Sequence, residues 1–186
     1  MYILKKTVLK IFGQIKIFKF PFFVVYDPSG YKIRGTQYNE LMKALRPGDV
    51  LLRRYDSYLD AKVLPGFWNH AGIYTNDDEV IHAIAKGVVV ETVFDFCKTD
   101  HLVVLRPKFK FTRYDVITTA LSYVGRPYDF NFNVDCDDKF YCTEIIYKLF
   151  ENFDHGIKRR KFLGVDMVAA DDIYSANFDV VLEYKN

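Results

Sequence analysis

Five short runs rich in branched and aromatic residues follow one another between residues 50 and 106, and they restrict the fold more than any other feature. They lie at about 50–54, 69–75, 79–85, 87–93 and 101–106, each bounded by glycine, proline or polar positions. Runs of this length and composition read as strands. Pro47-Gly48-Asp49 makes the turn that leads into the first, and Asp27-Pro28-Ser29-Gly30 a turn further upstream. Helices are expected on either side. Residues 112–124 carry the stripe Val116, Ile117, Ala120, Leu121 and Val124, with Thr112 and Asp115 resembling a capping box and Gly125 ending the helix. A second helix is expected over about 139–152, with Ile145, Ile146, Leu149 and Phe150 on one face. Phe178–Tyr184 reads as a final strand. The whole is an α+β domain built on a short antiparallel meander.

Composition enters as an exclusion. The chain has 186 residues, half of them apolar, which excludes intrinsic disorder and leaves room for one core of ordinary size. Twenty-six basic against 24 acidic side chains leave +2, too balanced for a nucleic-acid partner on charge alone. Three cysteines without paired spacing argue against a disulfide framework and mildly favour a reducing compartment. The histidines are dispersed, the acidic run 135–138 lacks a calcium-loop glycine, and no phosphate loop occurs, so no metal or cofactor is expected.

The first twenty-six residues stand apart as a basic amphipathic segment, leaving 27–186 as the main domain. Lys5, Lys6, Lys10, Lys16 and Lys19 occur there without any acidic side chain before Asp27. Ile3, Leu4, Val8, Ile11, Phe12, Ile15 and Phe18 fall mainly on one helical face, while Leu9, Ile17 and Phe20 break the pattern. Lysines interrupt the run too often for a membrane span. Three readings stay open: a helix packed on the domain, a basic helix lying on an anionic membrane or a partner through residues 1–20, and an atypical export signal. A cytoplasmic or membrane-peripheral location is favoured over secretion.

Two places could carry chemistry. If the hairpin around Thr75–Glu79 turns at Asp77, Tyr74 faces Val80, and alternation sets His70 and His82 on one sheet face, one diagonal step apart. A register slip of one residue would send them to opposite faces, leaving two unrelated histidines. Cys142 shares the inward stripe of the second helix. With Asp138 as N-cap it would fall in the first turn, where the helix dipole and free N–H groups favour a thiolate. The alternative is a small buried residue that only packs. Cys97 reads as a packing or loop thiol, and the acidic neighbours of Cys136 oppose its ionisation.

Four motifs occur in order: Pro47-Gly48-Asp49-Val50-Leu51-Leu52, Asn69-His70-Ala71-Gly72-Ile73-Tyr74, Gly125-Arg126-Pro127-Tyr128-Asp129-Phe130 and Tyr141-Cys142-Thr143-Glu144. Over about residues 45–150 the chain resembles the circularly permuted papain-like hydrolases of the NlpC superfamily, YiiX-like branch, related to lecithin:retinol acyltransferase. The resemblance implies a permuted papain-like fold in which an antiparallel meander sheet packs against the cysteine-bearing helix. It implies Cys142 as nucleophile, His70 as base and His82 as the group that orients His70. Many members carry Glu at that third position, so Glu91 is the second candidate. Asn69 stands where a small hydroxyl residue is common. Asp49 and Asp129 are expected to shape loops around the cleft.

The function implied is hydrolysis of amide bonds, with cell-wall peptides as one substrate class. Thiol-dependent acyl transfer or esterase action on lipids uses the same site, and a non-catalytic binding module would keep only the fold. Peptides or small acyl compounds are the expected partners. The Cys142 backbone N–H is the natural first donor to an oxyanion, with no second donor evident.

Overall fold

The structure is a computed structural model that describes residues 15–17, 24–26, 32–56, 65–135, 137–162 and 164–185. The chain divides into two units, residues 1–32 and 33–186. In the first, β1 (Ile15–Ile17) pairs antiparallel with β2 (Val24–Tyr26), Lys16 opposite Val25. This corrects the helix expected there. Ile15-Lys16-Ile17 alternates with period two, and Val24-Val25-Tyr26 is β-branched or aromatic throughout, both of which suit a pleated strand better than a helical turn. The remainder of the expected helix, the turn at 27–30 and Cys136 lie outside the described residues.

The second unit is built on a six-stranded antiparallel sheet. Its strands are β3 (Val50–Arg54), β4 (His70–Tyr74), β5 (Glu79–Ile84), β6 (Gly87–Thr92), β7 (His101–Pro107) and β10 (Phe178–Tyr184). The order is β10-β7-β3-β4-β5-β6, so the meander runs from β3 to β6 and β7 returns beside β3. The expected runs and the observed strands agree within a residue or two. Val50-Leu51-Leu52 and Leu102–Leu105 are fully buried without alternation, because both sheet faces are covered.

Val50, Leu52, Ile73, Ile81, Val103 and Leu105 face α3 (Arg113–Tyr123) and α4 (Cys142–Phe150), which contribute Val116, Ala120, Ile145, Ile146, Leu149 and Phe150. On the other face Leu51, Tyr74, Val80, Leu102 and Val104 meet Leu41 of α1 (Gly35–Ala44) and Val93 and Phe96 of α2 (Val93–Phe96). The C-terminal part adds the hairpin β8 (Arg160–Phe162) and β9 (Val165–Met167), then α5 (Ala170–Tyr174). Sequence patterning missed α1, α2, α5 and this hairpin. α2, α5 and the hairpin strands are too short for periodicity, whereas α1 carries Tyr38, Leu41, Met42 and Leu45 at helical spacing, a signal the sequence reading passed over.

Two capping expectations change. Thr112 is the N-cap of α3 but makes no side-chain capping bond. The N-cap of α4 is Tyr141, not Asp138, and the helix starts at Cys142 itself, because the backbone N–H of Tyr141 donates to Glu144 Oε2 at 3.1 Å. Gly125 closes α3 with φ +86°, a left-handed conformation that costs glycine nothing.

Both loop aspartates hold loops, but Asp49 does so at the Tyr74 end of β4, away from the His70 end, and not around the cleft as expected. Asp49 is buried and receives Arg106 Nε at 2.9 Å and Nη2 at 2.7 Å, tying the start of β3 to β7. Asp129, fully buried, accepts the backbone N–H groups of Asn131 at 3.0 Å and Asn133 at 2.6 Å.

Gly72 is a point of close approach within the sheet. A Cβ there would lie 2.6 Å from Val80 Cγ1, 2.9 Å from Phe96 Cε2 and 3.3 Å from His82 Cβ. Gly72→Ala is therefore expected to destabilise the protein by about 1–3 kcal/mol through overpacking. Urea unfolding measures this, and an unchanged midpoint would contradict the close approach.

Candidate active site

Register brings the histidines together. Tyr74 pairs with Val80 and Ile73 with Ile81, so His70, Gly72, Val80 and His82 share one face. His70 Nε2 lies 2.7 Å from His82 Nδ1, with the rings perpendicular and their centroids 5.0 Å apart. Phe96 of α2 packs against both rings, 5.9 Å from His70 and 5.2 Å from His82.

A charged pair stands behind His82. Glu91 Oε2 is 3.1 Å from His82 Nε2 and 3.3 Å from Arg53 Nη1. Arg53 also donates to the Phe96 carbonyl at 3.0 Å and lies over the Phe96 ring at 4.1 Å. Glu91 thus reaches His82, not His70, and neither Arg53 nor this order was legible in the motif. The 3.1 Å approach of Glu91 favours one tautomer, although His82 Nε2 makes no well-aligned hydrogen bond to it. A carboxylate only accepts, so the proton facing Glu91 sits on His82 Nε2 and leaves His82 Nδ1 as an acceptor. His70 then donates from Nε2, and its Nδ1 carries the free lone pair.

Cys142 opens α4 and is buried. It lines a pocket of about 380 Å³ together with Asn69, His70, Trp68, Tyr128, Phe132, Tyr141, Thr143, Phe162 and residues 167–170. His70 and Cys142 therefore face one cavity, and His82 sits behind His70 outside its lining. Three bonds hold the cysteine end of α4. Thr143 Oγ1 donates to the Val168 carbonyl at 2.6 Å, the Val168 N–H donates to the Tyr141 hydroxyl at 3.0 Å, and Glu144 caps Tyr141. Burial raises the Glu144 carboxyl to about 8.

Electrostatics departs from the thiolate expected at a helix start. Burial pushes the Cys142 thiol above its ordinary value, although N–H groups of Ala71, Thr143 and Cys142 and the charge of Arg53 pull it down. Burial, then Arg53 and His82, holds His70 well below 6.5, and burial also lowers His82 despite Glu91. At neutral pH the site therefore rests as thiol and neutral imidazole.

The other candidates lie elsewhere. Cys97 belongs to the core under α1 and α2, where burial raises it to about 12. Among the described residues no group of three metal-ligating side chains occurs. His101 pairs with Asp56 at 2.9 Å, and His155 Nδ1 accepts the Ile157 N–H at 2.7 Å.

Comparison with known proteins bears on this geometry. The model of the permuted papain-like amidases of the YaeF/YiiX, C92 family matches residues 44–182. The match extends past the stretch 45–150 and takes in Phe162 and residues 167–170 of the pocket wall. The crystal structure of metalloprotein YiiX from Escherichia coli O157:H7 is similar in fold, with a TM-score of 0.64 at 18% identity over 77% of this chain and 99% of that one. No curated protein matches the chain.

The lowered histidines have a consequence for stability. Above about pH 6.5 both are neutral folded or unfolded and contribute no pH dependence. Below it the unfolded chain binds protons that the two folded imidazoles refuse, so their contribution to stability falls with falling pH, by up to about 1.4 kcal/mol per unit for each imidazole. Glu144, raised to about 8, acts in the opposite sense over the same range, so the comparison of two proteins isolates the imidazole: from pH 7 to pH 5 the urea midpoint of His70→Gln is expected to fall less, or rise more, than that of the parent protein. An equal slope in the two proteins would refute the shift.

Proposed function

This chain belongs to the permuted papain-like amidases of the YaeF/YiiX, C92 family, and from that premise we propose that Cys142, His70 and His82 form its catalytic site. The observation that carries the reading is one pocket holding a thiol and an imidazole whose far nitrogen is occupied by a second imidazole.

The chemistry follows from the proton inventory. His70 Nδ1 takes the proton from Cys142 Sγ, and the thiolate attacks the amide carbonyl. The negative charge moves to the carbonyl oxygen, for which the backbone N–H of Cys142 is the donor at hand. Collapse breaks the C–N bond, and the amine leaves with the proton from His70. Water then attacks the thioester, its proton passing to His70 and back to the sulfur as the acid departs. His82 holds the ring and tautomer of His70, and Glu91 holds His82. A resting neutral pair suits this cycle, because charge develops only as the carbonyl is attacked.

The pocket wall favours an apolar acyl group. Trp68, Tyr128, Phe132, Phe162, Met167 and Val168 line the pocket with the thiol, and among the described residues no lysine, arginine or carboxylate lines it. Cell-wall peptides carry charged groups that would find no counter-charge there. An N-acyl compound with a greasy acyl chain fits better, and lipid-directed acyl transfer differs from its hydrolysis only in what accepts the acyl group. The five lysines of residues 1–20 support peripheral contact with an anionic membrane that holds such substrates.

Turnover of octanoyl p-nitroanilide tests the assignment. Cys142→Ala and His70→Ala are expected to abolish it, and His82→Ala to lower kcat by roughly 10²- to 10⁴-fold. Full activity of Cys142→Ala would end the proposal, and a charged peptide amide turned over faster than the octanoyl amide would end its apolar part. Deletion of residues 1–20 is expected to weaken cosedimentation with vesicles rich in phosphatidylserine. Unchanged cosedimentation would remove the membrane contact.

A further inference from the structure

A second cavity, of about 430 Å³, lies at the end of the sheet away from the catalytic pocket. β3 and β4 pair Arg53 with His70 at one end and Val50 with Ile73 at the other. This cavity is beside Pro47 and Asp49, just ahead of Val50, and so a strand length of about 13 Å from His70. Among the described residues three cations line it: Arg106 of β7, Lys110 in the turn that follows and Arg113 at the start of α3. The one carboxylate among those lining residues is Asp49. Two of the cations are held at the wall. Arg106 donates to Asp49 from Nε at 2.9 Å and Nη2 at 2.7 Å, and to the Ala44 carbonyl at 2.8 Å, which leaves the N–H groups of Nη1 unused. Arg113 Nε donates to the Pro47 carbonyl at 3.1 Å, with the N–H groups of Nη1 and Nη2 unused. Asp49 and Pro47 are themselves lining residues, so both guanidinium groups stand at the cavity.

The charge of the ligand follows from this inventory. Arg106 already neutralises Asp49, so Lys110 and Arg113 leave two positive charges facing one cavity. The chain as a whole is nearly balanced, 26 basic against 24 acidic side chains, so the excess is local. Like charges brought together repel unless an anion joins them, and a guanidinium fork matches the oxygens of phosphate. A phosphate monoester carries about −1.5 to −2 at pH 7 on three acceptor oxygens. A phosphodiester or a carboxylate carries a single charge. We propose that this cavity binds a phosphate monoester, the unused N–H groups of Arg106 and Arg113 donating to its oxygens and Lys110 adding a point charge. A small phosphorylated compound and the headgroup of phosphatidic acid present the same group. The site is separate from the amide chemistry at Cys142.

Titration calorimetry at fixed ionic strength compares glycerol 3-phosphate, a monoester, with dimethyl phosphate, a diester. The full chain is expected to bind the monoester at least about tenfold more tightly, because its second charge meets the second cation. Lys110→Gln combined with Arg113→Gln should weaken monoester binding at least about tenfold and leave Tm unchanged, since both side chains are exposed. The charge-keeping pair Lys110→Arg and Arg113→Lys should retain the preference. Equal binding of the two compounds overturns the proposal. So does binding of neither, or an affinity that survives the two glutamines. A second arm identifies the source of the phosphate. Cosedimentation with vesicles of phosphatidic acid is compared with that on vesicles of phosphatidylglycerol at the same surface charge. A preference for phosphatidic acid that the glutamine pair removes assigns a lipid headgroup. Equal cosedimentation alongside tight glycerol 3-phosphate binding assigns a soluble compound.

Discussion

The hydrogen bond between His70 Nε2 and His82 Nδ1, 2.7 Å long across the β4–β5 pair, is the contact on which the rest of the site is arranged. It exists because two strands in one register present residues of the same face, and because Gly72 between them has no side chain to hold the strands' contents apart. Phe96 fills the space a Cβ would have taken and packs on both rings. Glu91 and Arg53 then complete the row behind His82. Remove the register and the imidazoles separate. Remove Glu91 and the tautomer that frees His70 Nδ1 loses its anchor.

Burial sets the electrostatic character of the same row. The interior disfavours charge on the thiol and both imidazoles, so the first is raised and the others are lowered, while His82 and Arg53 hold the Glu91 carboxyl below the usual range. The one full charge pair, Arg53 with Glu91, is kept as a pair and further held by the Phe96 carbonyl and ring. A lone buried ion would be far costlier than this compensated one. Arg53 favours a thiolate over a thiol and a neutral over a charged imidazole, so its two effects on a transfer of the sulfur's proton to His70 oppose each other.

The cysteine and the histidines reach each other by an end-to-end arrangement. The stripe of α4, Ile145, Ile146, Leu149 and Phe150, covers one sheet face, while the row of His70, Gly72 and His82 belongs to the face packed by Phe96. Cys142 and His70 share a pocket because each is the first residue of its element. The wall opposite comes from the C-terminal stretch, which Thr143 and Tyr141 bond at Val168 to the start of α4.

The strands from 50 to 107, the register of the histidine hairpin, and Cys142 with His70 as the reactive candidates were all legible in the residues. Local patterns carry that information: alternation, turn residues and an inward helical stripe. What was not legible involves partners far apart in the chain or elements too short for periodicity. Glu91 stands behind His82, Arg53 neutralises it, Tyr141 replaces Asp138 as the cap, and residues 162–170 wall the pocket. The thiolate expected at a helix start gave way for the same reason. A sequence shows that a cysteine begins a helix, but the depth at which that helix end is buried belongs to the packing of the whole domain, and desolvation there outweighs the helix dipole. By itself the sequence nominated candidate residues and, through the hairpin register, the face on which the two histidines stand. The tertiary structure decided their protonation, their order in the row and the apolar wall before them, because burial and long-range pairing exist only once the chain is folded.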